Sequence, residues 1–226
     1  RFEVTIDLVC DMIASNPFDF FLDDDAFHAP FTYEEGLRKD LAPYLAAPKG
    51  GKLFASMARA AEGMWCRDGD DHRTLDALVD INRMVEQAIA YVVRMEPGVQ
   101  SPEETLELAR GSCRDSSWLL VNLLRHVGIA ARFVSGYLIQ LAPDEKPLDG
   151  PSGPDTDFTD LHAWVEAFIP GAGWIGLDPT SGLFASEGHV PLAATPSPRT
   201  AAPITGELEA GEVDFDFELK VARRRE

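Results

Sequence analysis

The chain has 226 residues, 45% of them hydrophobic and 26% charged, which is the composition of a globular domain large enough to bury its own core. Its 38 acidic residues outnumber its 20 basic residues, so the formal net charge at pH 7 is −18. Such a charge repels phosphate backbones and anionic membranes, and we therefore expect neither nucleic acid nor a membrane as a partner.

The three cysteines, Cys10, Cys66 and Cys113, are widely spaced and form no C-x-x-C pair. The sequence contains neither a signal peptide nor an apolar run long enough to span a membrane. Separated cysteines in odd number, without such segments, are typical of a reducing compartment. The sequence therefore predicts a cytoplasmic location.

In chain order, the first feature is an alternation of apolar and polar residues from Phe2 to Val9, which predicts a half-exposed strand. Residues 16–33 follow as an irregular, aromatic-rich segment that we expect to pack against the core. The three consecutive aspartates at 23–25 lack the spaced carboxylates, glycine and terminal glutamate of an EF-hand loop, so no calcium site is predicted there.

Three helices are predicted in the first half of the chain, over residues 33–44, 53–65 and 75–95. The third has the clearest apolar stripe, with Thr74 as its N-cap and a Pro-Gly pair after its end. A fourth, short helix is predicted from Ser101, where Ser-Pro-Glu-Glu supplies a capping box and a proline at the first helical position.

The stretch R-G-S-C-R-D, residues 110–115, places Cys113 in the first turn of the next predicted helix. Leucines and valines at three- and four-residue spacing continue this helix to Gly128, a typical C-cap, and Ser112 forms a capping box with Asp115. The helix dipole favours negative charge at its N-terminus and so stabilises a thiolate there. A stabilised thiolate is a nucleophile, although a cysteine seen alone is more often a small buried hydrophobe.

Two later strands supply the partners that a nucleophilic thiol needs. Residues 160–169, D-L-H-A-W-V-E-A-F-I, alternate as a strand with His162 and Trp164 on the same face. A tight turn leads to residues 174–178, W-I-G-L-D, and the hairpin brings Asp178 back toward His162. A cysteine at a helix start, with a histidine and an aspartate on paired strands, suits a thiolate–imidazolium pair with an orienting carboxylate.

Further strands are predicted around this hairpin, over residues 131–141, 188–193 and 213–221. The second contains His189, a rival base that lacks the sequence context of His162. Residues 142–159 contain four prolines and are predicted to form a long loop, either a lid or cleft wall or a segment without fixed structure. We expect the strand at 213–221 to pair with the N-terminal strand, since each would otherwise expose an open edge.

Four motifs between residues 102 and 181 resemble those of the microbial transglutaminase-like superfamily: G-x-C-R-D, L-L-R-x-x-G-I-x-A-R-x-V-x-G-Y, D-x-H-A-W-V-E and W-x-x-x-D-P-T. The resemblance implies an α+β, papain-like core, in which a helical half packs on an antiparallel β-sheet and the active-site cleft lies between them. It also implies Cys113 as the nucleophile, His162 as general base and acid, and Asp178 as the orienting carboxylate.

The resemblance also suggests how the chain is divided. Residues 1–30 are interpreted as an N-terminal strand and aromatic-rich arm, and residues 31–226 as a transglutaminase-like catalytic domain with a C-terminal β-strand. The flanking segments resemble those of very large bacterial proteins, so we expect further domains in a larger polypeptide.

The reaction expected from this resemblance is cysteine-dependent acyl transfer on a carboxamide of a protein or peptide, through a thioester that is then hydrolysed. Transfer of the acyl group to an amine, as in a transglutaminase, and a peptide-binding role without catalysis are the alternatives. Gly111 and Ser112 are predicted to contact the substrate because their small side chains leave room beside the nucleophile, and Trp164 because it shares the face of His162. No motif requires a cofactor or a metal.

The oxyanion of such a reaction needs two hydrogen-bond donors. The backbone N–H of Cys113 is the natural first donor. Gln100, Trp65 and Trp118 are the candidates for the second, and the sequence does not choose among them.

Overall fold

The computed structural model describes residues 3–13, 16–46, 50–67, 72–143, 154–202, 204–206 and 217–223. Within these ranges the helices are α1 (Glu35–Asp40), α2 (Ala42–Leu45), α3 (Lys52–Trp65), α4 (Thr74–Ala88), α5 (Pro102–Leu108) and α6 (Cys113–His126). The strands are β1 (Ala90–Tyr91), β2 (Arg110–Gly111), β3 (Ala131–Gln140), β4 (Phe158–Ile169), β5 (Gly173–Asp178), β6 (Leu183–Phe184) and β7 (His189–Thr195). None of the described helices is both long and apolar enough to cross a membrane.

Five strands form one antiparallel sheet in the order β6-β5-β4-β3-β7, and β1 pairs with β2 in a separate, two-residue parallel ribbon. The helices pack on this sheet, which confirms the predicted α+β class. The predicted strands at 131–141, 160–169, 174–178 and 188–193 correspond to β3, β4, β5 and β7.

Helix α6 is the centre of the core. Its leucines at 119, 120, 123 and 124 are fully buried, because the helix is enclosed by the other helices on one side and by β3 and β4 on the other. The hydroxyl of Ser117 donates a hydrogen bond to the backbone oxygen of Ala163 at 3.0 Å, which ties α6 directly to β4. This bond lies one residue from His162, so it sets the start of α6 against the histidine strand.

The aromatic-rich segment packs against the core as predicted. The N–H of Asp23 bonds to the oxygen of Pro170 at 3.0 Å, and the hydroxyl of buried Thr74 bonds to the oxygen of Ala26 at 2.6 Å. Both Ala26 and Ala29 are buried.

Two predicted helices have different bounds in the structure. The helix predicted over 75–95 ends at Ala88, because the backbone of residues 90–92 pairs with residues 109–111 instead of continuing the helix. Its N-cap is Arg73 rather than Thr74. The helix predicted over 33–44 is divided into α1 and α2, since Pro43 has no N–H to bond one turn back and instead lies in the first turn of a new helix.

The predicted strand at Phe2 to Val9 is not formed in its described part. Residues 3–13 have neither strand nor helix, and their apolar side chains, such as Ile6 at 63% exposed, face no core. Alternation is a local signal, whereas strand formation also depends on pairing with a distant backbone, which the pattern does not specify. Residues 217–223 also have no strand assignment, and residues 213–216 and 144–153, part of the predicted C-terminal strand and of the predicted loop, lie outside the described residues.

Candidate active site

Cys113 is the first residue of α6 and is partly buried. Strand β2 ends at Gly111, so one residue, Ser112, separates it from Cys113. The N–H of Val92 donates to the oxygen of Gly111 at 2.9 Å. A Cβ added to Gly111 would lie 2.8 Å from the Cβ of Asp115, so no larger residue fits without movement. The local fold therefore places the thiol at a helix N-terminus, held on its other side by the β1–β2 ribbon.

A buried carboxylate, that of Asp115, organises the turn that carries Cys113. It accepts bonds from the N–H and hydroxyl of Ser112 at 2.8 Å each, from the N–H of Gln100 at 2.8 Å and from Arg94 at 2.7 and 2.8 Å. Burial acts to raise the pKa of Asp115, but these donors outweigh it and hold the pKa below its ordinary value. The predicted pairing of Ser112 with Asp115 is thus part of a larger cluster.

His162 lies on β4 with its side chain 7% exposed, and its Nε2 is 3.1 Å from Oδ2 of Asp178. Burial alone would lower the pKa of His162. Hydrogen bonds and charge from Asp178 and Cys113 outweigh burial and raise the pKa to about 10. Because Nε2 faces the carboxylate, Nδ1 is the ring nitrogen left for the thiol.

Asp178 is the last residue of β5 and is held by several donors. Its Oδ1 accepts from the N–H of Thr180 at 2.8 Å, and its Oδ2 accepts from the hydroxyl of Ser181 at 3.1 Å as well as from His162. Burial acts to raise the pKa of Asp178, but the bonds from His162 and His189 lower it well below its usual range. The carboxylate is therefore ionised and fixed in orientation.

His189, the rival histidine in the sequence, lies beside the same carboxylate. Its Nε2 is 3.5 Å from Oδ2 of Asp178, and its ring is 5.6 Å from that of His162. Trp164 contacts both imidazoles, stacked on His162 at 6.3 Å and edge-on to His189 at 5.2 Å. Trp164 is only 2% exposed, so it is a packing partner of the histidines, and its predicted contact with substrate stays a prediction.

A cavity of about 570 Å³ reaches this group, and His162, Asp178 and His189 are among its lining residues. The rest of the lining is mixed, with the apolar Leu138 and Phe184 and the polar Ser181 and Glu187. Cys113 is not among the residues that line this cavity.

The structure brings Cys113, His162 and Asp178 into one group, since the side chain of His162 is bonded to both of the others, and their catalytic roles stay a prediction. Three residues are candidates for the second donor to the oxyanion. The backbone N–H of Gln100 is bonded to Asp115 in the turn that carries Cys113. The ring of Trp65 packs on Phe31, and the guanidinium of Arg125 lies over the ring of Trp118. Their assignment stays open.

Two residues near the group, Arg94 and Tyr91, have no role in the sequence interpretation. Arg94 pairs with Asp115 from 21 positions away, a separation that leaves no local pattern. Tyr91 is half exposed and pairs in register with Gly111, two residues before Cys113. Burial, followed by the charges of Cys113, Asp160 and Asp178, raises the pKa of Tyr91. His189 differs from these residues, because the sequence already identifies it as a rival base, 11 residues after Asp178. Its contact with Asp178 is seen only in the structure.

A family model described as the transglutaminase-like superfamily matches residues 60–179, which is just over half of the chain and includes Cys113, His162 and Asp178. The chain belongs to the transglutaminase-like superfamily. This confirms the resemblance seen in the motifs. Membership of this superfamily supports cysteine-dependent acyl transfer as the general class of activity, and it does not specify the reaction.

Proteins similar in sequence to the chain are found in bacteria. An uncharacterized protein of Mycobacterium leprae is 28% identical over 160 residues, which are 70% of this chain and 53% of that protein. The uncharacterized protein YebA of Bacillus subtilis is 36% identical over 79 residues, 34% of this chain and 10% of YebA. The chain thus spans about half the length of the first relative and a tenth of the second.

The crystal structure of a "putative cysteine protease" from Cytophaga hutchinsonii superposes with a TM-score of 0.57 and 23% sequence identity, over 79% of this chain and 53% of that chain. At this identity the likeness shows the fold alone. It agrees with a transglutaminase-like, papain-like arrangement of helices on an antiparallel sheet.

Proposed function

We propose that the chain is a cysteine-dependent amidase or peptidase that cleaves a carboxamide through a thioester on Cys113. The observation that carries the proposal is the position of Cys113 at the N-terminus of α6, beside a His162 whose other ring nitrogen contacts the buried carboxylate of Asp178. This combination stabilises a thiolate next to an imidazolium.

In the first half of the reaction, the Cys113 thiolate attacks the carboxamide carbon and a carbon–sulfur bond forms. The backbone N–H of Cys113, at the start of α6, donates to the negative charge that develops on the carbonyl oxygen, whereas the N–H groups of Asp115 and Ser116 are already bonded to the oxygen of Ser112. The imidazolium of His162 gives its proton to the leaving nitrogen, the carbon–nitrogen bond breaks, and an amine or ammonia departs. The enzyme is left as a thioester with a neutral His162.

In the second half, His162 accepts a proton from water as the water oxygen attacks the thioester carbon. The carbon–sulfur bond breaks, the carboxylic acid leaves, and the thiolate–imidazolium pair is restored. Asp178 takes no proton in either half, since its donors keep it ionised. Its role is to hold the ring and to balance the imidazolium charge.

Water is proposed as the acceptor because transfer to an amine requires water to be kept from the thioester. Trp164, the tryptophan beside His162, is buried against the two histidines and offers almost no surface to form a hydrophobic channel for an amine. A cytoplasmic location and further domains in a larger polypeptide stay predictions.

The test is incubation of the protein with a panel of glutamine-containing peptides, with and without a primary amine, followed by mass spectrometry and an ammonia assay. We expect free acid and ammonia in both cases. Amine incorporation that outruns hydrolysis would instead assign transglutaminase activity. The same peptides report cleavage of their backbone amides.

The matched variants are Cys113→Ala and Cys66→Ala, the second at an exposed cysteine away from the group. Cys113→Ala should lower turnover about a thousandfold or more without unfolding the chain, and Cys66→Ala should leave it unchanged. His162→Ala should be nearly as inactive, whereas Asp178→Ala should retain some turnover, because it positions rather than reacts. Full activity in Cys113→Ala would end the thioester mechanism.

A further inference from the structure

Asp178 is shared by two histidines, and the mechanism above uses only one of them. His162 and His189 both direct Nε2 at the same oxygen, Oδ2, at 3.1 and 3.5 Å. The side chains of the three residues are only 7%, 9% and 5% exposed for His162, His189 and Asp178. In so buried a group, each hydrogen bond to the carboxylate is strengthened by the low local dielectric.

The tautomer of His189 follows from its second contact. The N–H of Ser186 donates to Nδ1 of His189 at 3.1 Å, so this nitrogen carries a lone pair and the ring proton lies on Nε2. The N–H of His189 in turn bonds to the oxygen of Ser186 at 2.9 Å. The turn thus fixes the imidazole as a donor that faces Asp178.

The strand that carries His189 is pressed close to its neighbour. A Cβ added to Gly136 on β3, the register partner of His162, would lie 2.0 Å from the backbone oxygen of Val190. At Gly188 it would lie 2.6 Å from the oxygen of Ile139. These two glycines let β7 approach β3, and Trp164 then fills the space against both imidazoles.

The same three side chains have the donor set of a zinc site, with ligand atoms within 4.8 Å of one another. A neutral histidine that binds a metal through Nε2 must carry its proton on Nδ1. In His189, Nδ1 is instead the acceptor for Ser186. The geometry therefore favours hydrogen bonding over metal ligation.

We propose that His189 is a positioning residue, which donates a second hydrogen bond to Oδ2 of Asp178 and so holds the carboxylate in the orientation that aligns His162. This inference rests on the proposed function, because it assumes that His162 activates Cys113. His189 acts on the thiol only through Asp178 and His162.

The experiment measures the rate at which iodoacetamide alkylates Cys113 at pH 6, by peptide mapping of the whole chain in the presence of EDTA. His189→Phe keeps a ring against Trp164 but removes the donor, and His189→Gln keeps an N–H donor. We expect His189→Phe to slow alkylation about tenfold and His189→Gln to stay within about twofold of the unmodified chain, which is the effect of one hydrogen bond to a charged group. His126→Phe, which removes a histidine paired with Glu62 elsewhere, should change nothing.

The outcomes separate the two proposals. If Cys113 in the unmodified chain reacts no faster than exposed Cys66, the proposed function fails whatever His189 does. If Cys113 reacts fast and His189→Phe is equally fast, with its fold confirmed by circular dichroism, the positioning role is overturned while the proposed function stands. A His189→Gln as slow as His189→Phe, or an effect of His189 seen only on adding Zn²⁺ without EDTA, would also overturn it.

Discussion

At the residue scale, the buried pair of His162 and Asp178 ties the stability of the fold to pH. The pKa of His162 is raised from 6.5 to about 10, so its stabilisation is fully present below pH 6.5 and is lost as the pH rises through about 10. The pKa of Asp178 is lowered, so its stabilisation is present above its unfolded value of 3.8 and is lost in stronger acid.

We therefore expect the free energy of unfolding to fall between pH 7 and 10 more steeply in the unmodified chain than in His162→Gln. Urea denaturation at several pH values between 7 and 10 measures the free energy of unfolding of the two proteins. His126→Gln is the control, since its side chain is 35% exposed and outside the group. Equal slopes in the unmodified chain and His162→Gln would show that the histidine is not held as an imidazolium.

A second prediction concerns the carboxylate beneath the nucleophile. Asp115→Asn removes the buried charge that pairs with Arg94 and one of the acceptors for Ser112, and it leaves Arg94, 17% exposed, with only the longer 3.7 Å pair to exposed Glu96. We expect a loss of about 3 kcal/mol in the free energy of unfolding, as for a broken buried ion pair, and slower alkylation of Cys113.

Asp80→Asn is the matched control, because its pair with Arg67 is long at 3.7 Å and exposed on both sides. Asp80→Asn should lower the free energy of unfolding by less than about 1 kcal/mol. If the two variants lose equal stability, Asp115 does not organise the turn.

The sequence identifies the candidate catalytic residues at this scale because each lies in its own local pattern: Cys113 at a helix start, His162 on an alternating strand and Asp178 at the end of a hairpin. It does not predict the residues that support them. Arg94 and Ser186 act through contacts that form only in the folded chain, and no spacing in the sequence predicts these contacts.

At the scale of elements, close approach of β7 to β3 requires Gly136. Gly136→Ala would place its Cβ 2.0 Å from a backbone oxygen that no rotamer change can move, so β7 must shift and carry His189 with it. We expect a lower melting temperature and slower alkylation of Cys113. Gly63→Ala in α3 is the control, as nothing lies within 4 Å of its added Cβ, and it should raise stability by about 0.5–1 kcal/mol. A Gly136→Ala variant with an unchanged melting temperature and an unchanged rate of Cys113 alkylation would contradict the close contact between β3 and β7.

Strong periodicity and capping predicted α5, α6 and the strands β3, β4 and β5 within a few residues. The errors arose where tertiary pairing decided the result. The end of α4 is set by the β1–β2 ribbon, and the described part of the strand predicted at residues 2–9 is not a strand. Periodicity cannot foresee either, because both depend on which distant backbone is free to pair.

At the scale of the whole molecule, the buried Arg125 links parts of the chain that are remote in sequence. Its guanidinium donates to the backbone oxygens of Ala46, Ala131 and Pro196, which lie after α2, on β3 and after β7. Burial lowers the pKa of Arg125 to about 10. Charge composition alone could not have shown that this cation lies inside the fold.

The N-terminal arm gives a further prediction at this scale. Deleting residues 1–13 removes a segment whose described apolar side chains, in residues 3–13, are mostly exposed, so the melting temperature should change by no more than about 3 °C. Deleting residues 1–30 also removes buried Ala26 and Ala29 and the bond from Thr74, and we expect the remaining chain to be far less stable. Equal stability of the two truncated chains, measured by thermal melts, would show that the segment 16–30 does not support the core.

The central claim is that the fold activates one of three thiols, and the three cysteines allow an internal comparison. The most direct measurement is the rate of alkylation of Cys10, Cys66 and Cys113 by iodoacetamide from pH 5 to 9 in a single sample, with His162→Ala beside it. An ordinary thiol, with a pKa of about 8.5, reacts slowly at pH 6. We predict that Cys113 reacts at least about tenfold faster than exposed Cys66 at pH 6 and loses this advantage in His162→Ala. A Cys113 rate that follows that of Cys66 across the whole range would contradict the account.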